Sequence, residues 1–414
     1  MAAIRPFRGV RPAPKLASQI AALPYDVYTR QEARAEVEKN PLSFLTIDRP
    51  ETQFPEDVDM YSQPVYDRAR EIFEEMAARG SFIQDDSPCY YIYTLTMGGR
   101  PQTGLVGCAS IDDYLNNRIK KHENTREEKE KDRIRHVDTL SAQTGPIFLA
   151  YHACQELTAI MNTAKQEVPL YDFTSEDSIR HQVWKISDPD ITARISHIWE
   201  GIDNIYIADG HHRAASAVKV GLKRRKSHPG YDGTEEFNYF LSVLFAADEL
   251  NIYDYNRIVS DLNGHTPEAF LALAHNSFEI SGPQKDICRP SCKGEIGLYL
   301  AGAWYKMRAK PCLFTDDPVD RLDVSVLQNT ILGPLLGIED PKTDGRIEFM
   351  GGIRGLSALA AAVDAAGAGA GFAMYPTSMD ELLAVADADR LMPPKSTWFE
   401  PKLRSGFFIH RFEK

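Results

Sequence analysis

The chain has 414 residues, 43% of them hydrophobic and 26% charged, which excludes a disordered protein and allows two or three domains. Its net charge of −12 disfavours nucleic acid and anionic membranes as partners, but a few local cations would still allow an anionic ligand in a pocket. The N-terminus lacks the apolar core of a signal peptide, and the six cysteines are scattered. We therefore expect a cytoplasmic protein with free thiols and without a membrane segment.

Helices and strands alternate through the first part of the chain. Apolar residues at helical spacing predict an amphipathic helix over residues 61–79. Residues 118–136 form a charge run in which Glu127 and Lys131 stand four apart, as in a solvated helix. A helix that Gly221 ends leads into an exposed loop over 222–235. We predict further helices over 30–39, 188–199 and 213–220, and strands over 43–47, 89–97, 104–111, 146–152, 182–186, 204–208 and 237–246.

The last third continues this pattern. The alanine-rich stretch 356–375 predicts a helix that ends at glycines and then a strand, rather than a membrane span. The other predicted elements are helices over 267–275, 324–336 and 379–388, with strands over 296–300, 304–308 and 406–410. Alternating helices and strands with hairpins indicate a mixed α/β fold with a partly antiparallel sheet.

The segment richest in chemistry joins a short apolar strand to a helix and reads Asp209-Gly210-His211-His212-Arg213. Free N–H groups at a helix start favour an anion, and Gly210 permits the close approach of a phosphate. Arg213 can add a bidentate contact, while Asp209 can bind a metal or accept a proton. The histidines supply groups that titrate near neutral pH. The alternative is an N-capping Asp209 followed by surface histidines.

Three further segments offer chemistry, each with a plainer alternative. In the first segment, Glu123 and Asn124 supply oxygen ligands suited to Mg²⁺, and Arg126 can hold a phosphate. The alternative is that this charged segment is only part of a solvated helix. Pro24 fixes a turn that presents Tyr25 and Asp26, which as a plain turn would carry no function.

The third segment, residues 392–402, joins two prolines to a cluster of donors formed by Lys395, Ser396 and Thr397. Such a rigid loop suits a phosphate or carboxylate, and its alternative is a proline turn before the final strand. Cys288, Cys292 and Cys312 lack the fourth ligand of a closed zinc site.

These segments occur in an order that resembles the bacterial domain-of-unknown-function family ten-fifteen over nearly the whole chain. The matching segments are 24–27, 40–51, 122–125, 209–213 and 392–397. Through the Asp-Gly-His-His-Arg string the chain is also similar to the ParB-like and free serine kinase superfamily. That resemblance implies a ParB- and sulfiredoxin-like phosphate-binding core in residues 1–240. An α/β region over 241–414 would return the Pro-Pro-Lys-Ser-Thr loop to the same cleft.

Together, residues and resemblance lead us to expect a metal-dependent phosphotransferase that acts on a small hydroxylated metabolite, with free L-serine as acceptor, ATP or ADP as nucleotide, and Mg²⁺. A non-catalytic nucleotide- or metabolite-binding regulator is the alternative, and a DNA-associated ParB-like protein is a third reading. We expect no nucleic acid or membrane partner, and a homodimer is an oligomeric state to test.

The expected site residues fall into four groups. The catalytic residues are Asp209, Glu123, His211 and His212; the nucleotide contacts are Gly210, Arg213, Lys395, Ser396, Thr397 and Arg126; the substrate contacts are Tyr25, Asp26 and His122; and the metal ligands are Glu123, Asn124 and Asp209.

Overall fold

The computed structural model describes residues 3–125, 127–367 and 369–412 and divides the chain into two compact units. The first unit comprises Met1–Leu250 together with Pro401–Lys414, and the second comprises Asn251–Glu400. Both units combine helices with sheets, which confirms the predicted mixed α/β class.

The first unit is built on a mixed sheet that has nine strands among the described residues. The strands up to Leu250 are β1 (Ile4–Arg5), β2 (Val10–Pro12), β3 (Phe82–Gln84), β4 (Tyr90–Met97), β5 (Arg100–Ser110), β6 (Ile119–Lys120), β7 (Ala142–Gln143), β8 (Ile147–Tyr151), β9 (Tyr171–Thr174), β10 (Arg180–Ile186), β11 (Ile205–Asp209) and β12 (Tyr239–Ala246). The strands of the sheet run in the order β6-β11-β8-β12-β5-β4-β10-β9, and β1 pairs with the end of β5. Two pairs are parallel, β6 with β11 and β8 with β12, and the others in this sheet are antiparallel.

Helices complete the first unit. The amphipathic helix predicted over 61–79 is observed as Gln63–Ala78, with Val65, Ala69, Ile72 and Met76 buried. The helices are α1 (Ala17–Ile20), α2 (Arg30–Lys39), α3 (Leu45–Asp48), α4 (Gln63–Ala78), α5 (Ile111–Leu115), α6 (Glu127–Leu140), α7 (Gln155–Ala164), α8 (Pro189–Glu200) and α9 (His211–Ser227), with 3-10 turns at Pro14–Leu16, Tyr25–Val27, Pro50–Gln53, Glu236–Asn238 and Ala247–Glu249.

Two local predictions in the first unit are wrong. The strand expected over 43–47 is the short helix α3, whose four residues are all buried, so its apolar run reflects packing on all sides rather than a strand. Gly221 does not end α9, which continues to Ser227 and takes in the start of the expected loop. A Cβ at Gly221 would lie 2.5 Å from the Phe237 carbonyl oxygen, so this glycine serves a close approach rather than a helix end.

The second unit combines an antiparallel sheet with helices. Its elements are β13 (Ile252–Tyr253), β14 (Tyr255–Val259), α10 (Pro267–Ala274), β15 (Phe278–Gln284), β16 (Glu295–Leu300), β17 (Ala303–Ala309), α11 (Asp323–Leu327), β18 (Ile347–Gly351), α12 (Leu356–Ala366), β19 (Ala370–Met374), α13 (Met379–Asp387) and β20 (Trp398–Phe399), with 3-10 turns at Pro311–Leu313 and Gly352–Arg354. The sheet runs in the order β15-β17-β16-β19-β14-β18, and β13 forms a separate pair with β20. The helix expected over 324–336 is instead the short helix α11 followed by a π-helical turn at Gln328–Leu332.

After β20 the chain returns to the first unit. There β21 (His410–Arg411) pairs with β7, and Ile409 forms a bridge with Val10. The strand predicted over 406–410 is therefore shorter and later than expected. The positive φ of Gly406, 70°, interrupts extended backbone at the start of that segment.

Asp85 ties the N-terminal segment to the large sheet. Its carboxylate is 4% exposed and accepts hydrogen bonds from Arg11 at 3.0 and 3.1 Å and from Lys185 at 2.8 Å. The Tyr91 hydroxyl donates to the same carboxylate. Burial alone would raise the pKa of Asp85, but these donors outweigh it and hold the pKa below its usual value.

Replacing Asp85 should therefore cost much stability. We expect Asp85→Asn to lower the free energy of unfolding by about 3 kcal/mol at pH 7, because it leaves buried cations without their carboxylate. Because the pKa of Asp85 is lower in the folded state, its carboxylate stabilises the folded protein at pH values above the unfolded-state pKa of about 3.9. This contribution to the free energy of unfolding is lost as the pH falls toward the folded-state pKa. Urea unfolding measured at several pH values from 7 down to about 3 should therefore show that the difference in free energy of unfolding between wild type and Asp85→Asn becomes smaller as the pH falls.

Asp172→Asn is the matched control, since Asp172 pairs with Arg180 at 2.6 Å but both side chains are substantially exposed. Its cost should stay below about 1 kcal/mol. Equal losses in the two variants would contradict a special role for Asp85.

Candidate functional site

The strand-to-helix turn predicted as the site is formed as expected. Strand β11 ends at Asp209, Gly210 adopts φ 95° and ψ 30°, and α9 begins at His211. Gly210 is the N-cap and has no side chain that could bond the N–H groups of the first turn. The start of this 17-residue helix therefore lies behind a glycine, a geometry that allows an anion to approach. The alternative that Asp209 merely caps the helix is not what the structure has.

Asp209 is held by a lysine that lies far away in the sequence. Lys402 Nζ donates to Asp209 Oδ2 at 3.0 Å, and both side chains are partly buried. Burial alone would raise the pKa of Asp209, but Lys402 and Arg213 outweigh it and keep the pKa well below the usual value. Asp209 is thus a carboxylate throughout the physiological pH range, between two cations.

Arg213 folds back over the glycine of the turn. A Cβ placed on Gly210 would lie 3.1 Å from Arg213 Nε and 3.2 Å from Nη2, so the missing side chain makes room for the guanidinium. Arg213 Nη1 donates to the Pro146 carbonyl at 2.7 Å, at the start of β8. This bond holds the guanidinium beside the turn, where its charge adds to that of the helix start.

Two buried histidines pack beneath the turn. The rings of His122 and His211 meet edge to face, with centroids 4.4 Å apart. The His122 backbone N–H donates to His211 Nε2 at 3.5 Å, and His211 Nδ1 lies 3.7 Å from Glu123 Oε2. Burial lowers the pKa of His122 to about 4; burial, with a smaller contribution from His122, lowers the pKa of His211 well below its usual value. Both rings are therefore neutral at pH 7, and the structure brings His122, Glu123 and His211 together with Asp209.

His122 carries one unsatisfied polar atom. Its Nδ1 is buried and has no hydrogen-bond partner among the described residues, whereas the ring bonds the Ile207 backbone through its other nitrogen. A buried polar atom without a partner is uncommon in folded proteins and is compatible with a bound ligand or water. The ring itself is only 2% exposed, so the histidine supports the turn from below.

The remaining residues predicted near the turn are placed differently. His212 is half-buried, accepts from the Ser216 hydroxyl through its carbonyl at 2.7 Å, and lies within electrostatic range of Glu130. Asn124 is exposed. Arg126 lies outside the described residues.

A cavity of about 210 Å³ opens beside Tyr25 and Asp26, the two residues predicted to contact substrate. Its walls include Tyr25, Asp26, Arg49, Glu51 and Arg133. A smaller cavity of about 30 Å³ adjoins it, because Tyr25 and Arg133 line both, and Arg213 lines the smaller one. The Tyr25 pocket, as we call the larger cavity, therefore shares lining residues with the smaller cavity that Arg213 lines.

The charge run of α6 contributes to this pocket, which corrects the prediction of a solvated helix. Glu127 and Lys131 do form an exposed pair at 2.8 Å, but Glu130, Arg133 and His136 are buried. These three residues recur every third position and so form one polar face of the helix. Most of the positions between them are charged as well, so nothing in the sequence marks this face as the buried one, and Arg133 and His136 were not predicted as site residues.

The loop with Lys395, Ser396 and Thr397 lies in the second unit. Lys395 has φ 58° and its carbonyl accepts from Arg257 Nη2 at 3.1 Å. The Ser396 hydroxyl donates to the Pro393 carbonyl at 2.6 Å, and the Ser396 carbonyl accepts from Thr377 at 3.0 Å. The expectation that these three residues reach the Asp209 turn stays a prediction. Lys402, seven residues further on, does reach the turn and was not in our predicted set.

The predicted metal ligands do not form a closed site. Among the described residues, no group of three or more histidine, cysteine or acidic side chains is arranged to hold a metal ion. Asp209 instead forms an ion pair with Lys402. All six cysteines are free thiols.

In the described part of the chain, no helix is both long enough and apolar enough to cross a membrane.

Comparison with known proteins gives a family and several structural neighbours. A family model described as "Protein of unknown function (DUF1015)" matches residues 4–325. No curated protein matches the chain.

Three solved structures illustrate the structural neighbours. A free serine kinase in complex with ADP is 16% identical, covers 76% of this chain and 92% of its own, and has a TM-score of 0.33. A conserved hypothetical protein from Pyrococcus furiosus is 14% identical, with coverages of 72% and 91% and a TM-score of 0.33. SbnI with a C-terminal truncation, from Staphylococcus aureus, is 10% identical, with coverages of 72% and 85% and a TM-score of 0.37.

Proposed function

This chain belongs to the family described as Protein of unknown function (DUF1015), as its motifs predicted, and from the geometry of its Asp209 turn we propose that it is a nucleotide-dependent phosphotransferase. The acceptor is a small hydroxylated metabolite, and free L-serine is the first compound to test. The observation that carries the proposal is the turn itself, where a helix start with a glycine N-cap, Arg213 and Lys402 lie around Asp209.

The turn offers what phosphoryl transfer needs most, which is positioning and neutralisation of charge. The helix start and Arg213 supply donors and positive charge in one place, and Lys402 adds a second cation. Nucleotide phosphates would bind to these groups. Lys395, Ser396, Thr397 and Arg126 remain proposed as further phosphate contacts.

Asp209 is the proposed acceptor of the substrate's hydroxyl proton. Its low pKa makes it a weak base, which suits a reaction in which the carboxylate orients the hydroxyl and takes its proton late. Glu123 is the second candidate, and it lies 3.7 Å from His211 Nδ1. We assign His122 and His211 to holding the turn, since both are buried and neutral, and His212 remains a candidate on the exposed side.

Mg²⁺ is part of the proposal as a companion of the nucleotide. It is usually bound in such enzymes by one or two carboxylates together with phosphates and water, so a closed protein cage is not required. Asp209 in the turn and Glu123 beside His211 would hold the ion, with Asn124 as a third ligand, and the ion would neutralise phosphate charge.

The direct test is to incubate the purified full-length chain with ATP or ADP, Mg²⁺ and L-serine and to look for O-phosphoserine, with EDTA as the metal-free arm. A thermal-shift series with each compound reports binding independently of turnover. Phosphoserine formation supports the proposal. Nucleotide binding without turnover of any hydroxylated acceptor supports the regulator instead, and the absence of both removes the phosphotransferase.

Arg213→Lys should weaken nucleotide binding although the charge is kept. Lysine lacks the planar fork that can bond a phosphate through two N–H groups, so about 1.5–3 kcal/mol of binding free energy should be lost. Calorimetry with ATP or ADP measures this as a rise in Kd of about ten- to a hundredfold.

Arg225→Lys is the matched control, because Arg225 lies at the other end of α9 and forms a bidentate pair with Asp112 at 2.7 Å. It should leave the Kd unchanged. A loss of affinity as large as that of the Arg213 variant would contradict a phosphate contact by Arg213.

A further inference from the structure

The Tyr25 pocket is lined by tyrosine rings. Tyr25, Tyr28, Tyr61 and Tyr66 all contribute to its walls, around a volume of about 210 Å³ that suits a small metabolite. Aromatic faces attract cations through the negative charge on the ring faces, and several such rings around one space form the typical site for an organic ammonium group. Burial raises the pKa of Tyr25 to about 12, so its phenol is neutral and can accept a hydrogen bond from an ammonium at pH 7.

The first arginine of the pocket is paired with a carboxylate and with the backbone of the turn. Arg49 Nε bonds Glu51 at 2.5 Å, and its Nη1 donates to the carbonyls of Tyr25 and Tyr28 at 2.9 and 2.8 Å. Arg49 thus fixes the backbone of the Tyr25–Val27 turn. Its charge is balanced by Glu51, which is 2% exposed.

The second arginine is used in a similar way. Arg133 bonds Asp132 at 2.8 and 2.9 Å, and its guanidinium lies over the Tyr25 ring, 3.9 Å from the centroid. Tyr66 donates to the other oxygen of Asp132 at 2.8 Å. Each guanidinium thus forms an ion pair with a carboxylate of the same pocket, Glu51 or Asp132, which balances its charge.

One carboxylate of the pocket is not balanced in this way. Asp26 is exposed, lines the cavity, and makes no hydrogen bond or ion pair among the described residues. With two arginines against Asp26, Glu51 and Asp132, the pocket carries one excess negative charge. An excess negative charge beside aromatic faces selects for a monocation.

We propose that the Tyr25 pocket binds a small organic cation that carries a hydroxyl group, such as a protonated amino alcohol or a quaternary ammonium alcohol. This inference rests on the proposed function for the hydroxyl, because it names the chemical class of the acceptor. The cation itself follows from the pocket alone. Tyr61, whose ring is about half exposed, and Asp26 are the contacts at the mouth of the pocket.

The test compares each cation with its neutral counterpart by calorimetry on the full-length chain at low ionic strength, without nucleotide. Choline is paired with 3,3-dimethyl-1-butanol, and ethanolamine with 1-propanol, so that each pair differs chiefly in the positive charge. We expect at least one cation to bind about tenfold or more tightly than its neutral partner, and added salt to weaken it. Equal affinities within both pairs, or binding of L-serine without binding of either cation, would overturn the proposal.

Two variant pairs assign the binding to this pocket. Asp26→Asn should raise the Kd of the cation about three- to tenfold, whereas Asp86→Asn, which removes another exposed carboxylate outside the pocket, should not. Tyr61→Leu should weaken binding, while Tyr61→Phe, which keeps the ring, should retain it. Asp26 and Tyr61 are both at the surface, and the melting temperature of each variant verifies that it is folded. Equal effects of the members of either pair would overturn the assignment.

The outcome is separable from that of the proposed function. Cation binding without any phosphoryl transfer would leave the pocket's ligand class standing and remove the phosphotransferase. Turnover of a neutral alcohol without preference for its ammonium counterpart would support the phosphotransferase and remove the cation as the ligand of the pocket.

Discussion

Asp209→Asn is expected to lower the rate of phosphoryl transfer about a thousandfold, within the usual range for loss of a general base. Asparagine keeps the shape of the side chain but cannot take the hydroxyl proton. Nucleotide affinity should be unchanged or higher, because a negative charge beside the phosphates is removed. The measurement is turnover and nucleotide Kd on the same preparation, with the melting temperature as a check of folding.

Asp203→Asn is the control, since Asp203 is an exposed carboxylate shortly before β11 and the same change there should leave turnover intact. Loss of the charged hydrogen bond from Lys402 should cost Asp209→Asn about 1.5–3 kcal/mol of stability, because both side chains are partly buried. Retained turnover in the folded variant would take Asp209 off the catalytic list and leave Glu123 as the base.

Gly210→Ala is expected to damage the site in two ways. At φ 95° a side chain is strained, which should cost about 1–2 kcal/mol of stability. The new Cβ would also lie 3.1–3.3 Å from the Arg213 guanidinium, which would have to move by a few tenths of an ångström, and it would stand where the glycine allows a phosphate to approach. We expect the nucleotide Kd to rise about tenfold, as for the weakening of a charged hydrogen bond.

Gly233→Ala separates the two effects. Gly233 has φ 94°, nearly the same φ as Gly210, but a Cβ there would meet nothing within 4 Å. It should show the stability loss and an unchanged Kd. If Gly210→Ala also left the Kd unchanged, Arg213 would not need its position over the glycine in order to bind phosphate.

The turn could be predicted from the sequence because its geometry depends on residues that are neighbours along the chain. An apolar strand, a glycine and an apolar helix follow one another without a gap, so the geometry of Asp209 to Arg213 depends on neighbours along the chain. The family motifs were recognisable for the same reason, since each is a short contiguous string. By contrast, a Ser43–Ile47 strand was predicted from an apolar run that packing on all sides explains equally well.

The sequence by itself determined the mixed α/β class, the family, and the turn whose glycine adopts a positive φ, because these depend on local backbone preferences and residue periodicity. Tertiary structure alone decided that Lys402 pairs with Asp209, 193 positions away, and that the charged helix α6 buries Glu130, Arg133 and His136. It also decided that Gly221 lies inside a helix against Phe237. The physical reason is the same in each case: burial and ion pairing depend on which surfaces meet, and no local pattern of residues specifies the partner.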